Sequence, residues 1–363
     1  MLAPIDPTTN TEKGRNDLSR KTLTPLGVLA LAALIVLAAS SGSAQARPSA
    51  SELTGAGSTF VSKLVQTWIP KVDGQLGIKL TYGPIGSGGG IQAITNRTVD
   101  FGASDAPMTT DQFAACKGCV QIPFAFSATS VPYKGDQLPN LLKLTGPVIA
   151  NIFLGKITKW NAPAIQALNK GKSLPNLNIT VIHRSDGSGT TYNFTDYLSS
   201  VSKEWKTKVG KGTSVNWPTG IGARGSAGVS AALSQTQGGI TYVDVAFSLA
   251  NHFKYAKVKN RAGIYQTPGL RGITAAGKTI LRVAPNNGGL SVVNPAKRQP
   301  LAYPICTFVY MIVPRQTSKA PEVKKFLNWA LTKGQLDGPK LLFAPLPKVV
   351  LKASQKTLAL VHT

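Results

Sequence analysis

Three short segments combine glycines with hydroxyl side chains directly before amphipathic stretches. They are residues 54–60 (TGAGSTF), 86–90 (GSGGG) and 186–190 (DGSGT). Each segment can expose backbone N–H groups at the start of a helix, where an anion binds well because these amides lack intrahelical acceptors. If the three helix starts meet, they would surround one small oxyanion with neutral dipoles.

Each of these segments lies at a predicted junction between a strand or turn and a helix. Residues 78–82, 178–183 and 239–247 have the composition of strands. Residues 60–69, 90–98, 146–153 and 192–201 have the spacing or the start signals of helices, with Pro70 expected to end the first of them. A single Gly-Ser-Gly loop is usually only a turn. Three of them, each with a hydroxyl that can donate to an oxygen atom, favour a binding site.

Three charged residues, Asp105, Arg184 and Asp186, lie within or near these segments in sequence. A predicted strand over residues 99–103 leads directly to Ser104 and Asp105. A carboxylate at Asp105 would repel an anion unless that anion carried a proton. Phosphate keeps a proton near neutral pH and sulfate does not, so Asp105 could select phosphate; an ordinary helix cap is the alternative. Arg184 could bind an oxyanion while Asp186 orients it, or the two could form an exposed ion pair.

Residues typical of catalysis are few. The chain has three histidines (His183, His252 and His362), no G-x-S-x-G sequence and no His, Asp or Glu group with metal-ligand spacing, so we predict no catalytic residue and no metal site. His183 beside Arg184 leaves a phosphatase as an alternative. Residues 272–279 (GITAAGKT) match a nucleotide-binding P-loop, but the flanking sequence lacks the required strand and helix and predicts an exposed hairpin instead.

Residues 1–46 have the pattern of a secretory signal peptide. Four basic residues precede an apolar stretch at 26–39, which is short for a membrane span, and cleavage is expected after Ala46. An uncleaved membrane anchor is the alternative. The remaining chain, 47–363, is longer than one hydrophobic core usually supports, which predicts two domains with a cleft between them.

The chain is strongly basic and poor in cysteine. Its 40 Lys and Arg against 15 Asp and Glu give a formal net charge of +25, which favours contact with anions. The basic residues are dispersed, which favours a solvated surface over a nucleic-acid interface. Cys116 and Cys119 are expected to close a small loop as a disulfide, with a redox pair or zinc ligands as alternatives, and Cys306 is expected to be a buried thiol.

The chain resembles the phosphate-binding proteins that serve bacterial ABC phosphate importers. The resemblance covers most of residues 47–363 and depends on the following segments: 53–60 (LTGAGSTF), 86–89 (GSGG), 99–107 (VDFGASDAP), 154–160 (LGKITKW), 184–190 (RSDGSGT), 217–218 (WP) with Gly220 and Gly222, 239–243 (GITYV) and 343–347 (FAPLP). Together these segments are specific to the family.

The resemblance implies an α/β structure of the two-lobed periplasmic-binding-protein fold (type II), with the ligand cleft between the lobes. The chain would cross between lobes near Phe126 and Ala302, so that lobe one comprises residues 47–126 and 302–363 and lobe two residues 127–301. The implied phosphate-binding residues are Ser58, Thr59, Phe60, Ser87, Asp105, Arg184, Ser188, Gly189 and Thr190, with Asp186 holding Arg184.

The resemblance also implies a function and a location. The protein would be an exported receptor, in the periplasm or the outer envelope, that captures inorganic phosphate and delivers it to an ABC permease. It would be a monomer, peripheral to the membrane, without a cofactor, enzymatic activity or a nucleic-acid partner. The alternatives are a secreted phosphatase that uses the same anion site, and a basic envelope or DNA-binding protein.

Overall fold

The computed structural model describes residues 51–284 and 290–363. The predicted signal peptide, residues 1–46, lies outside the described residues. Within those two ranges, no helix has the length and apolar character that crossing a bilayer requires.

The described residues form three sheets and twelve α-helices. The strands, numbered along the chain, are β1 (Ser51–Gly57), β2 (Ile78–Gly83), β3 (Phe101–Ser104), β4 (Cys119–Ser130), β5 (Pro132–Tyr133), β6 (Lys143–Leu144), β7 (Thr180–Arg184), β8 (Ile221–Ala223), β9 (Gly239–Ile240), β10 (Val243–Asp244), β11 (Lys254–Tyr255), β12 (Lys257–Lys259), β13 (Tyr265–Gln266) and β14 (Cys306–Pro314).

The helices alternate with the strands. They are α1 (Ser62–Leu76), α2 (Ser87–Thr95), α3 (Thr110–Ala115), α4 (Gly146–Phe153), α5 (Pro163–Gln166), α6 (Gly189–Val201), α7 (Lys203–Lys208), α8 (Gly225–Gln235), α9 (Val245–Ala250), α10 (Leu270–Gly277), α11 (Ala320–Leu331) and α12 (Lys348–Leu358), with a 3-10 helix at Lys333–Leu341. The predicted α/β class is confirmed.

Two of the sheets form the centres of two lobes. The first lobe is built on a six-stranded sheet of order β10-β4-β14-β3-β1-β2, and the second on a five-stranded sheet of order β11-β5-β9-β7-β8. β1 pairs in parallel with β2 and β3, while β14 runs antiparallel to β3 and β4. The chain passes from the first sheet to the second across Val131, between β4 and β5.

One short strand connects the two lobes. β10 follows β9 of the second sheet but pairs antiparallel with the end of β4, where Asp244 lies opposite Thr129. β4 and β14 are buried along their whole lengths, which is typical of strands covered on both faces. The connection between the lobes therefore runs through the most buried part of the molecule.

Aromatic clusters fill both cores. Trp68 of α1 contacts Phe124, Phe326 and Trp329 at centroid distances of 6.1, 6.3 and 5.8 Å. In the second lobe, Tyr242 stacks on Phe194 at 4.5 Å and on Trp217 at 5.5 Å. Contacts of this kind stabilise a fold beyond the area that they bury.

Three expectations about secondary structure are wrong. Pro70 does not end α1, because Val72 beyond it is fully buried and the helix continues to a left-handed C-cap at Gly77. Residues 272–279 form most of helix α10, whose Ile273 and Ala276 are buried, and not a hairpin.

The expected strand over residues 239–247 is also wrong. It divides into β9, β10 and α9, because the Asp244 side chain accepts the Phe247 N–H and starts the helix. The cysteine expectations are confirmed. Cys116 and Cys119 form a disulfide, and Cys306 is a buried thiol whose pKa is raised by burial.

Candidate functional site

The carboxylate of Asp105 is the centre of the candidate site. Asp105 follows β3 and is 1% exposed. The Ser87 hydroxyl donates to its Oδ1 at 2.8 Å and the Thr190 hydroxyl donates to its Oδ2 at 3.0 Å. Since Ser87 begins α2 of the first lobe and Thr190 lies in the first turn of α6 of the second, one carboxylate joins two helix starts.

Close backbone approach brings the glycine segments together. The Gly88 N–H donates to the Gly187 carbonyl at 2.9 Å, across the boundary between the lobes. A Cβ on Gly189 would lie 2.5 Å from Asp105 Cγ and 2.6 Å from Ser87 Oγ. Only glycine allows this contact, so the predicted convergence of the second and third segments is present in the structure.

The first segment joins the same place from β1. The Ser58 N–H donates to the Ala103 carbonyl at 2.8 Å, so this amide is not free for a ligand, contrary to a role as an amide donor. Its hydroxyl is fully buried and has no partner. A buried hydroxyl without a partner is costly unless a ligand or water satisfies it, so Ser58 can contribute its side chain.

Several amides at the helix starts remain available. Within the described ranges, the N–H groups of Thr59 and Phe60 donate to no protein acceptor. Ser87, Gly189 and Thr190 occupy the first positions of α2 and α6, where helix geometry provides no intrahelical acceptor. We call the group formed by these five amides, the Ser58 hydroxyl, Asp105 and Arg184 the anion cage.

Ser188 contributes differently from the expectation. Its amide donates to the Thr213 carbonyl at 2.8 Å, and its hydroxyl accepts the Thr191 N–H at 3.1 Å as the N-cap of α6. The amide is therefore not free for a ligand, and Ser188 holds the helix start in position with its hydroxyl proton still available to donate.

Arg184 and Asp186 form a partly buried ion pair. Arg184 Nε donates to Asp186 Oδ1 at 2.6 Å and Nη2 donates to Oδ2 at 2.5 Å, with side-chain exposures of 2% and 12%. Arg184 Nη1 has no protein acceptor within the described ranges. Because both side chains are largely buried, the alternative of an exposed ion pair is excluded. The two parallel bonds fix the guanidinium and leave its Nη1 edge for an oxyanion.

The pair is supported from two further elements. Asp186 Oδ1 also accepts the Gly225 N–H of α8 at 3.0 Å, and the Arg184 N–H donates to the Tyr242 hydroxyl at 3.0 Å. Burial alone would raise the pKa of Asp186, but the bonds and charge of Arg184 together with the Gly225 amide lower it below its ordinary value of 3.8. Asp186 therefore stays ionised and balances the charge of Arg184.

Two residues near the cage were missed from sequence. The Thr59 hydroxyl lies 2.9 Å from the Ser226 hydroxyl of α8. Burial raises the pKa of nearby Asp244 to about 8, and repulsion from Asp105 adds to this effect. Neither residue belongs to a glycine segment, and Asp244 was hidden in an apparent strand, so no local pattern could have indicated them.

Within the described ranges, His183 is hydrogen-bonded to neither a hydroxyl nor a carboxylate. Its ring stacks on Trp217 at a centroid distance of 4.9 Å, and Nδ1 donates to the Arg184 carbonyl at 3.1 Å. Burial lowers its pKa. In the parts of the chain that the structure describes, no group of three or more His, Cys, Asp or Glu side chains is arranged to hold a metal ion.

A cavity of about 450 Å³ lies beside the cage at the boundary between the lobes. Thr59 and Asp186 are among its lining residues, and so are Lys63, Arg224 and Phe247. The Lys63 ammonium sits 5.0 Å from the centroid of the Phe247 ring. Two cationic side chains at this opening favour the approach of an anion.

Known proteins resemble this chain in both sequence and fold. Residues 42–333 match the family model described as "PBP superfamily domain". The phosphate-binding protein PstS of Xylella fastidiosa is 39% identical over 305 residues, 83% of each chain. PstS of Methanocaldococcus jannaschii is 32% identical over 356 residues, 90% of this chain and 92% of its own.

Solved structures share the fold. The periplasmic phosphate-binding protein PfluDING, bound with phosphate, has a TM-score of 0.67 at 21% identity, covering 84% of this chain and 93% of its own. A phosphate-binding protein from Stenotrophomonas maltophilia has a TM-score of 0.65 at 20% identity, covering 85% and 94%. With identities above 30% over most of both chains among the sequence relatives, the chain belongs to the PstS family of the PBP superfamily and has its two-lobed fold.

Proposed function

We propose that this protein captures inorganic phosphate in the anion cage, between its two lobes, and delivers it to an ABC permease. The observation that carries the proposal is the position of Asp105. A single carboxylate, with each oxygen held by one hydroxyl, lies where amide-rich helix starts of both lobes converge. The names of the relatives and the phosphate bound to PfluDING support the same ligand.

The chemistry of the cage fits a protonated oxyanion. Free amides, hydroxyls and Arg184 Nη1 donate hydrogen bonds to the ligand oxygens, while Asp105 accepts the ligand's own proton. Sulfate has no proton to give near neutral pH, so it would face Asp105 with an uncompensated repulsion. Ser58, Thr59, Phe60, Ser87, Arg184, Ser188, Gly189 and Thr190 would contact phosphate, with Ser58 and Ser188 acting through their hydroxyls and Asp186 fixing Arg184.

Capture would involve closure of the lobes about the connection formed by β4, β10 and β14. The proposed lobes comprise residues 47–126 with 302–363, and residues 127–301, with the end of β4, up to Ser130, forming part of the connection between them. We further propose that the protein is exported by a signal peptide over residues 1–46 and acts as a monomer at the membrane surface. It would be a receptor and not an enzyme, in keeping with relatives that are named as binding proteins.

Isothermal titration calorimetry tests the proposal. Purified residues 47–363, freed of phosphate by dialysis, should bind one phosphate per chain and give no heat with sulfate. Comparable binding of both anions would refute the role of Asp105, and absence of phosphate binding would refute the function. Turnover of a chromogenic phosphomonoester by the pure protein would instead favour the phosphatase.

A further inference from the structure

Asp244 is a second buried carboxyl beside the cage. It ends β10 and is 0% exposed. Its Oδ1 accepts the Phe247 N–H at 3.0 Å as the N-cap of α9. Its Oδ2 is buried and forms no hydrogen bond of good geometry. A buried carboxylate oxygen in this state is costly, so a proton or a donor is needed there.

A row of hydroxyls connects Asp244 to the cage. The Ser226 side chain is close enough to the Asp244 carboxyl to lower its pKa. The Ser226 hydroxyl lies 2.9 Å from Thr59 Oγ1, and the Ser226 N–H donates to the same Oγ1 at 3.3 Å. Since the Thr59 amide is part of the cage, the row runs from the interior of the second lobe to the ligand position.

The charges around Asp244 favour its neutral form. Burial is the main reason that its pKa is raised to about 8, and repulsion from Asp105 acts in the same direction. The Phe247 amide, the Ser226 hydroxyl and the charge of Arg184 oppose the shift without overcoming it. Among the described residues these are the groups that set the pKa of the carboxyl, and their balance favours its protonated form at neutral pH.

We propose that Asp244 is a positioning residue, which holds a proton behind the cage and orients the Ser226 and Thr59 hydroxyls toward bound phosphate. This inference rests on the proposed function. With the proton on Oδ2, a small rotation of the carboxyl would bring Oδ2 within reach of Ser226 Oγ, so that Asp244 donates to Ser226 and Ser226 donates to Thr59 Oγ1. The Thr59 hydrogen is then free to donate to a ligand oxygen.

Loss of that proton reverses the direction of donation in these hydrogen bonds. Thr59 then donates to Ser226, Ser226 donates to the Asp244 carboxylate, and Thr59 presents only lone pairs to the ligand. A second buried negative charge also appears near the bound anion. Both changes weaken phosphate binding, and by linkage bound phosphate holds the proton on Asp244 more tightly.

The test measures the phosphate Kd of the wild-type protein and of two variants, Asp244→Asn and Asp244→Ser, by calorimetry between about pH 6.5 and about pH 9.5. Asn and Ser both accept an N-cap hydrogen bond, so Asp244→Asn and Asp244→Ser should keep α9. The ionisation of phosphate affects both Kd values equally, so its effect cancels in the ratio of the wild-type Kd to the variant Kd. We expect this ratio to rise about tenfold across the range, which corresponds to one pKa unit of coupling.

Asp136→Asn is the matched control. The Asp136 side chain is 74% exposed and pairs with Lys134 on the surface. The ratio of the wild-type Kd to the Asp136→Asn Kd should therefore stay constant with pH. A constant ratio for both Asp244 variants would overturn the inference and leave the proposed function intact. Absence of phosphate binding by the wild-type protein at any pH would refute both the inference and the proposed function.

A measurement on the wild-type protein alone keeps the test decisive if both variants fail to fold. Above about pH 8.5 phosphate is already a dianion, so a further loss of affinity toward about pH 10 reports a group on the protein. An unchanged wild-type Kd over that interval would contradict the role of Asp244.

Discussion

A methyl group at Gly189 should prevent the closed arrangement of the cage. A Cβ there would lie 2.5 Å from Asp105 Cγ, 2.6 Å from Ser87 Oγ and 2.7 Å from the Ala106 nitrogen. Non-bonded carbon atoms pack at about 3.5 Å or more, so the start of α6 would have to retreat by about 1 Å. Gly189→Ala therefore separates the second lobe from Asp105 without altering the core of either lobe.

The expected loss of affinity follows from the contacts that this retreat breaks. The Thr190–Asp105 hydrogen bond, now 3.0 Å long, would lengthen to about 4 Å and be lost. One hydrogen bond to a charged group contributes about 1.5–3 kcal/mol. Together with the displaced amides of Gly189 and Thr190, the total is roughly 3–5 kcal/mol, or a 10²- to 10⁴-fold weaker Kd.

Calorimetry with phosphate measures this loss, and thermal denaturation without phosphate shows whether the variant is folded. Gly74→Ala is the matched control, because Gly74 lies in α1 with no atom within 4 Å of an added Cβ. That variant should bind like the wild-type protein and be slightly more stable. Tight phosphate binding by a folded Gly189→Ala variant would refute closure of the cage around Asp105.

Three further outcomes are expected. Asp105→Asn should weaken phosphate binding and reduce the discrimination against sulfate, since it removes the carboxylate charge that repels a fully ionised anion and replaces one of the two acceptor oxygens by an NH2 donor; calorimetry showing unchanged selectivity would contradict this. Because the pKa of Asp186 is lowered, its bond with Arg184 stabilises the fold above about pH 4 and is lost as the pH falls through the lowered pKa. Urea denaturation should therefore show Asp186→Asn to be much less stable than the wild type near neutral pH, with the difference shrinking in acid. Replacing Cys116 and Cys119 by Ser should cost about 2 kcal/mol of unfolding free energy, given the short loop, with an unchanged phosphate Kd.

The sequence predicted the elements that end in glycine and hydroxyl residues. β2, β7, α4 and α6 lie close to their expected positions, because alternation, N-capping residues and glycine punctuation are local signals. The start of α2 was placed three residues late, at Gly90 instead of Ser87. Three consecutive glycines have low helix propensity, and only tertiary contact explains them, since a Cβ on Gly90 would lie 2.4 Å from the Gly57 Cα.

The remaining parts of the site depend on contacts between distant residues. Ser226 reaches Thr59 across 167 positions of sequence, and no periodicity records such a pairing. Asp244 was read as part of a strand because its neighbours are apolar and β-branched, whereas its carboxyl caps a helix. The misreadings at Pro70 and at residues 272–279 have the same origin, since burial of the apolar face outweighs the local preference.

The hydrogen bond from the Gly88 N–H to the Gly187 carbonyl joins main chain to main chain across the cleft. A contact of this kind contributes only about 1 kcal/mol net, and no side chain must reorient to make it. The Thr190–Asp105 and Thr59–Ser226 hydrogen bonds also cross the cleft, so the empty receptor keeps a few direct bonds between its lobes, and bound phosphate adds its own contacts with both of them. A permease that contacts both lobes would distinguish the phosphate-bound receptor from the empty one by its shape. Separation of the lobes by the permease would also weaken phosphate binding.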